Sequence, residues 1–369
     1  VFSADIADIN LHNAETKLAE LFVSIITEAA GSKRMQSANT FPPIIIDSER
    51  AIAPDLSEYQ DGVLYLQGIK RGSDEYVNPF KKYLEKAVSY YSTKKTLLYA
   101  EKPHPFYELY VCNDIKYHKY HLTGVRDTKP EITISDATVE KLEAESKYII
   151  IEGIGGIGKS MFLTHLFLSS AQNSTYSSVV PLFLSLKDYK DTTDNVVDFI
   201  WKSICEYDSK ISKKDIIEAL QNKELILLLD GFDEIQTSVR ESFQSDLEAF
   251  IKSYNGNTII MTSRPIYDSF VSFSKFSVFD IKPLTKKQAL ALIDKLEFWD
   301  EVAKKSFMEA LDNKLYYSHL QFASNPLLLT IMLMTYSSFG EVPAKMHVFY
   351  SKAYETMARL HDASKGSFK

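Results

Sequence analysis

The chain has 369 residues, length for two or three domains, and its 45% hydrophobic and 25% charged residues are the balance of an ordinary globular protein. A formal net charge of −7 argues against a general nucleic-acid binder. No apolar run approaches the ~18 residues of a membrane-spanning helix, and no signal peptide is visible.

Two cysteines, Cys112 and Cys205, stand without C-x-x-C spacing and read as reduced, core-packed thiols of a cytoplasmic protein. The chain begins at Val1 without methionine and ends at Lys369 in a polar stretch, so a piece of a longer polypeptide is expected.

Residues 1–105 read as a mainly helical region without recognisable chemistry. Leu18, Leu21, Phe22, Ile25, Ile26 and Ala29 follow the helical period. Phe41 to Asp47 and Ala53-Pro54 interrupt it. Asn78 and Pro79 form an N-cap and first-turn pair ahead of a face made by Phe80, Tyr83, Leu84, Ala87, Val88 and Tyr91. Ile69 to Gly72 reads as a charged surface turn.

Residues 106–147 read as a linking segment. Phe106 to Val111 predicts a short strand, and Ala137 to Ala144 a short helix. Lys116-Tyr-His-Lys-Tyr-His121 is basic and aromatic, and His118 and His121 lie three apart. With no third ligand nearby, a polar loop is a better reading than a metal pair or a nucleic-acid contact.

From 148 to 284 the pattern alternates strand and helix, as in a doubly wound α/β sheet. Tyr148 to Glu152 predicts a buried strand, and Phe162, Leu163, Leu166 and Phe167 the apolar face of a helix. Between them lies Gly153-Ile-Gly-Gly-Ile-Gly-Lys-Ser160, which satisfies G-x-x-x-x-G-K-[ST], the phosphate-binding loop. Four of the chain's 13 glycines fall in these positions: Gly153, Gly155, Gly156 and Gly158. Such a loop lets backbone N–H groups surround a polyphosphate, and the following helix adds its positive N-terminal end. Residues 153 and 155–161, Ile157 and Met161 included, are the candidate nucleotide cradle. Lys159 is assigned to the β/γ-phosphates and the Ser160 hydroxyl to Mg²⁺.

Further strands are predicted at Val179 to Leu186, Leu225 to Leu229, Asn257 to Met261 and Phe276 to Ile281. A helix is marked by Val197, Ile200, Trp201 and Ile204. The third strand delivers Asp230-Gly-Phe-Asp-Glu234. A carboxylate at the end of an apolar strand that follows a P-loop suits Mg²⁺, so Asp230 takes that role. Glu234 is the first candidate for the base that polarises the attacking water, and Asp233 the second. Three carboxylates this close would repel one another, and a cation would offset it. The next strand ends Thr262-Ser-Arg-Pro265, where Arg264 would pair with terminal phosphate oxygens and so tell triphosphate from diphosphate.

After Pro283 the strands stop. Residues 285–369 read as helical, with capping-box spacing at Thr285 and Gln288, a helix opening at Pro326, and a last face through Phe349, Tyr350, Ala353, Tyr354, Met357 and Leu360. The expected fold is a P-loop NTPase with a five-stranded, mostly parallel sheet flanked by helices, an N-terminal helical region and a C-terminal helical subdomain.

The segments 153–160, Leu227 to Glu234 and Thr262 to Pro265 resemble the NACHT family of STAND nucleotide-binding proteins. Softer likenesses at 106–111, 324–329 and 342–362 extend this over about 105–369. The resemblance implies that Pro326 packs near the adenine. It further implies an ATP/ADP switch with slow Mg²⁺-dependent hydrolysis. The trigger is unknown and a phage component is one candidate. Activation would proceed by self-association and an effector, as in bacterial NLR-like antiphage proteins. A winged-helix domain and sensor repeats would follow. The alternatives are a cycling AAA-type motor, a scaffold that keeps nucleotide only for folding, and, least supported, a small-molecule kinase.

Overall fold

The apolar runs after residue 147 become the strands of one sheet. The computed structural model describes residues 79–96, 98–99, 102–117, 132–174, 179–190, 195–265, 273, 275–340, 348 and 351. The helical periodicity at 18–29, the turn at 69–72, Asn78, His118, His121 and the face beginning at Phe349 lie outside the described residues.

Two short strands, β1 (Thr93–Lys94) and β2 (His104–Pro105), pair with each other. The main sheet holds β3 (Ile115–Tyr117), β4 (Ile132–Ile134), β5 (Tyr148–Glu152), β6 (Val180–Ser185), β7 (Leu225–Asp230), β8 (Thr258–Ser263) and β9 (Ser277–Ile281). Their order is β4-β3-β9-β5-β8-β7-β6, seven strands where the sequence predicts five. The five expected strands are mutually parallel. The two extra strands add antiparallel at the β9 edge. Each is three residues long, too short for a period-2 pattern to stand out from loop sequence.

The principal helices in chain order are α1 (Lys81–Tyr91), α2 (Phe106–Leu109), α3 (Val139–Glu143), α4 (Lys159–Ser174), α5 (Val196–Cys205), α6 (Lys213–Gln221), α7 (Thr237–Ser253), α8 (Lys286–Lys295), α9 (Glu301–Ala310) and α10 (Pro326–Phe339), with a π-helical turn (Leu311–Leu315) and short helical segments at Tyr316–Ser318 and Leu320–Ala323 between the last two. The strand expected at 106–111 is therefore helix α2 followed by extended chain at Tyr110. The aromatic spacing explains the difference. Phe106 and Tyr110 stack at i, i+4 with centroids 5.0 Å apart, and Phe106 and Leu109 are buried.

Sequence chemistry sets the helix ends. Thr285 and Gln288 form a reciprocal capping box on α8, and Ser212 with Asp215 does the same on α6. Asn325 caps α10, with Pro326 at its first position. Helix α1 starts at Lys81, and the predicted face is real: Phe80, Tyr83, Ala87 and Tyr91 are buried. Tyr83 does more than pack. Its hydroxyl accepts the Phe183 N–H at 3.0 Å, occupying a donor that edge strand β6 would otherwise leave unpaired.

Ile149, Ile150, Leu227, Leu228, Ile260 and Met261 are fully buried, as expected of parallel strands covered on both faces. A second apolar core forms in the helical segment around Leu284, Ile293, Phe307, Leu329 and Met332. Met161 packs against both cores, so the start of α4 lies where they meet.

Candidate nucleotide site

Parallel register brings the carboxyl ends of three strands to one edge. Glu152 at the end of β5 pairs with Ser263, and Leu229 with Met261, so Gly153 and Arg264 leave the sheet side by side and Asp230 ends β7 level with Thr262 at the same edge. Open α/β sheets hold ligands at such an edge. Here it faces a cavity of about 350 Å³.

The glycine loop is pinned at both ends: the Gly153 N–H donates to the Ser263 carbonyl at 3.2 Å, and the Phe162 N–H to the Gly158 carbonyl at 2.8 Å. Gly156 and Gly158 have φ of +76° and +103°, where a side chain would strain the backbone. Gly155, Gly156, Gly158, Lys159, Ser160 and Met161 line the cavity. Gly153 and Ile157 stand back from it. Ile157 is buried in the sheet core, and a Cβ on Gly153 would lie 2.8 Å from Ile157 Cγ2, so close packing accounts for that glycine.

Lys159 is folded onto its own loop, donating to the carbonyls of Gly153 at 2.6 Å and Ile154 at 3.2 Å. Burial lowers its pKa, Asp233 opposes that shift, and Arg264 adds to it. Ser160 Oγ donates to Asp230 Oδ1 at 3.1 Å, and so does Thr262 Oγ1 at 2.6 Å. Thr262 also accepts the Gly231 N–H at 2.8 Å, which fixes the carboxylate and the turn after it together. Thr262 is fully buried on β8, between the two motif strands. Its hydroxyl at a strand end is the signal the sequence offers for this role. The pair Ser160 and Asp230 is an oxygen donor set that fits Mg²⁺, which takes few protein ligands and keeps the rest for water and phosphate.

All three carboxylates line the cavity, with different partners. Asp233 faces Arg264: its Oδ2 lies 3.1 Å from Arg264 Nε, and its Oδ1 accepts the Arg264 N–H at 3.0 Å. An arginine, rather than a cation alone, relieves the repulsion. A second arginine holds the same turn, for Arg240 Nη2 on α7 donates to the carbonyls of Asp233 at 3.1 Å and Ile235 at 3.0 Å. Its guanidinium also lies 5.7 Å from the Phe232 ring centre. Glu234 is exposed and lines the cavity.

Apolar side chains also line the cavity, among them Val111, Leu292, Leu296 and Pro326, whose Cγ lies 4.0 Å from where a Cβ on Gly158 would be. The linking segment is tied to α8: Lys295 donates to the Tyr107 and Tyr110 carbonyls, and Gln288 to that of Cys112. Cys112 and Cys205 are free thiols. None of the described helices is long and apolar enough to cross a membrane.

No curated protein matches the chain. Among solved structures it is similar to Caenorhabditis elegans PCH-2 at 14% identity and TM-score 0.30, covering 59% of this chain and 64% of that one. It is similar to a Thermotoga maritima RuvB variant at 12% and 0.29, covering 60% and 64%. Domain III of the Thermotoga maritima replication initiation protein DnaA matches at 15% and 0.32, covering 60% and 88%. The chain thus spans just under two thirds of the first two, and scores this low leave the weight on the motifs and their geometry. That weight has a family counterpart: residues 147–297, from the first parallel strand of the motif region through the glycine loop, the acidic turn, Arg264 and α8, match the NACHT domain, a P-loop NTPase module.

Proposed function

We propose that the chain is an ATP/ADP-binding switch that hydrolyses ATP slowly with Mg²⁺. The observation that carries this reading is the Asp233–Arg264 pair at the rim of the phosphate loop. Arg264 lies beside Gly155, with its Cζ 4.0 Å from where a Cβ on that glycine would be. A terminal phosphate held by the loop competes with Asp233 for this guanidinium, whereas a diphosphate leaves the pair intact. Only such differential contact lets a ligand shift a two-state equilibrium.

The remaining roles follow from position. Lys159 exchanges its two loop carbonyls for phosphate oxygens. Ser160 and Asp230 hold Mg²⁺, which supplies charge neutralisation on the phosphates when bound. Glu234, exposed on the cavity, is the first candidate for the base, and Asp233, whose carboxylate is released when a terminal phosphate draws Arg264 away, is the second. Pro326 and the apolar lining residues take the base of the nucleotide. Likeness to bacterial NACHT proteins supports the wider role: self-association on ATP binding, an effector output and antiphage defence in the cytoplasm, with residues 1–105, 106–147, 148–284 and 285–369 as its domains.

The test uses the hydrolysis-deficient Glu234→Gln protein, weighed by light scattering after size exclusion with MgATP and with MgADP. A larger species with MgATP alone supports the switch. Equal masses in both nucleotides contradict it.

A further inference from the structure

We infer that Asn325 is a positioning residue for phosphate binding, acting as a latch through which α10 holds the glycine loop open to an anion. This deepens the nucleotide-site reading and rests on it.

A trans peptide is planar, with its C=O and N–H pointing to opposite sides. A loop that turns N–H groups toward a phosphate must therefore turn the matching carbonyls away, and those carbonyls need donors. Two such donors come from 170 residues away. Asn325 Nδ2 donates to the Gly155 carbonyl at 3.0 Å, and the Leu327 N–H reaches the Gly156 carbonyl at 3.3 Å. Holding the Gly155 carbonyl toward Asn325 holds the Gly156 N–H away from it.

Asn325 is built for this contact. It is 2% exposed, and its two polar atoms have separate tasks. Oδ1 accepts the N–H groups of Leu327 at 3.1 Å and Leu328 at 3.2 Å, capping α10, which leaves Nδ2 for the loop. The same contact explains a glycine that the P-loop pattern leaves free. A Cβ on Gly156 would lie 2.9 Å from both Asn325 Oδ1 and Leu327 Cβ. Gly156 is thus demanded by the approach of α10 as well as by its φ of +76°.

The latch couples two events. Phosphate binding needs the loop in this shape, and the shape is held by α10. Displacing α10 weakens phosphate binding, and bound phosphate strengthens the docking of α10 by the same factor.

The test is Asn325→Ser. Serine caps a helix about as well as asparagine but has no amide to reach Gly155. Binding of fluorescent MgADP and of adenosine is measured on the wild type, Asn325→Ser and Lys159→Ala. The expected result is about a tenfold loss of MgADP affinity in Asn325→Ser, the worth of one buried hydrogen bond of ~1.4 kcal/mol, with adenosine affinity unchanged. Hydrogen exchange at residues 155–158 should also quicken in the nucleotide-free variant. If Asn325→Ser is unstable, Asn325→Asp serves instead: it keeps the cap and the shape but sets a carboxylate oxygen against the Gly155 carbonyl, with a larger expected loss. Wild-type MgADP affinity in a folded variant overturns the latch. An equal loss for adenosine and MgADP also overturns it, since that marks general damage. Failure of the wild type itself to bind MgADP would overturn the nucleotide-site reading first.

Discussion

The two walls of the cavity are built by different means. The sheet-edge wall comes from local sequence: an apolar strand, then the polar residues at its end. Asp230 follows Leu229, and parallel register sets it level with Thr262, two residues before Arg264 on the strand beside it. The helical wall comes from distant segments. Asn325 and Leu327 reach the loop from about 170 residues away, and Gln288 ties the linking segment to the same helical segment through the Cys112 carbonyl. The comparison teaches that the chemical groups and their support are separable. Removing a group on the first wall should stop a step, and loosening the second should lower affinity while leaving the groups in place.

That separation can be broken or sharpened by substitution. Glu234→Gln should slow steady-state ATP turnover by about 10²–10⁴-fold while ATP affinity holds, the range for a lost general base. Unchanged turnover would move the base to Asp233. Lys159→Ala should lower MgADP affinity by about 100-fold or more in a calorimetric titration, because each charge-assisted hydrogen bond contributes ~1.5–3 kcal/mol. Arg264→Ala should act selectively, cutting ATP affinity about tenfold more than ADP affinity. An equal loss for both would show that Arg264 serves the fold rather than the terminal phosphate. The smallest effect is expected at Arg240→Met, which keeps an unbranched side chain but removes the guanidinium that holds the acidic turn. Turnover should fall about fivefold, the worth of ~1 kcal/mol, with binding unaltered.

Much of the first wall is legible in the amino-acid sequence. Runs such as Leu225 to Leu229 are long, apolar and bounded, and the glycine loop declares its strand and helix on either side. Helix ends are legible at Thr285 with Gln288 and at Pro326, because capping is local chemistry. The short strands at 115–117 and 132–134 are not, since three residues carry no usable period. Phe106 to Val111 misleads because its aromatic residues favour strands in general while their i, i+4 stacking here favours a helical turn. Thr262 lies in plain view inside the Thr262 to Pro265 motif, yet its bond to Asp230 depends on which strands are neighbours. The glycines are the subtler case. Phosphate proximity offers one reason for all four, whereas packing on Ile157 accounts for Gly153 and the approach of α10 for part of Gly156.

Both walls are expected to enclose a nucleotide. The most direct measurement denatures freshly purified protein, resolves the released nucleotide by ion-exchange chromatography, and titrates any empty protein with MgADP and MgATP. Near-stoichiometric ADP on release, or saturable binding by the emptied protein that Lys159→Ala abolishes, is the predicted result. No nucleotide on release and no binding of either at millimolar concentration would contradict the account.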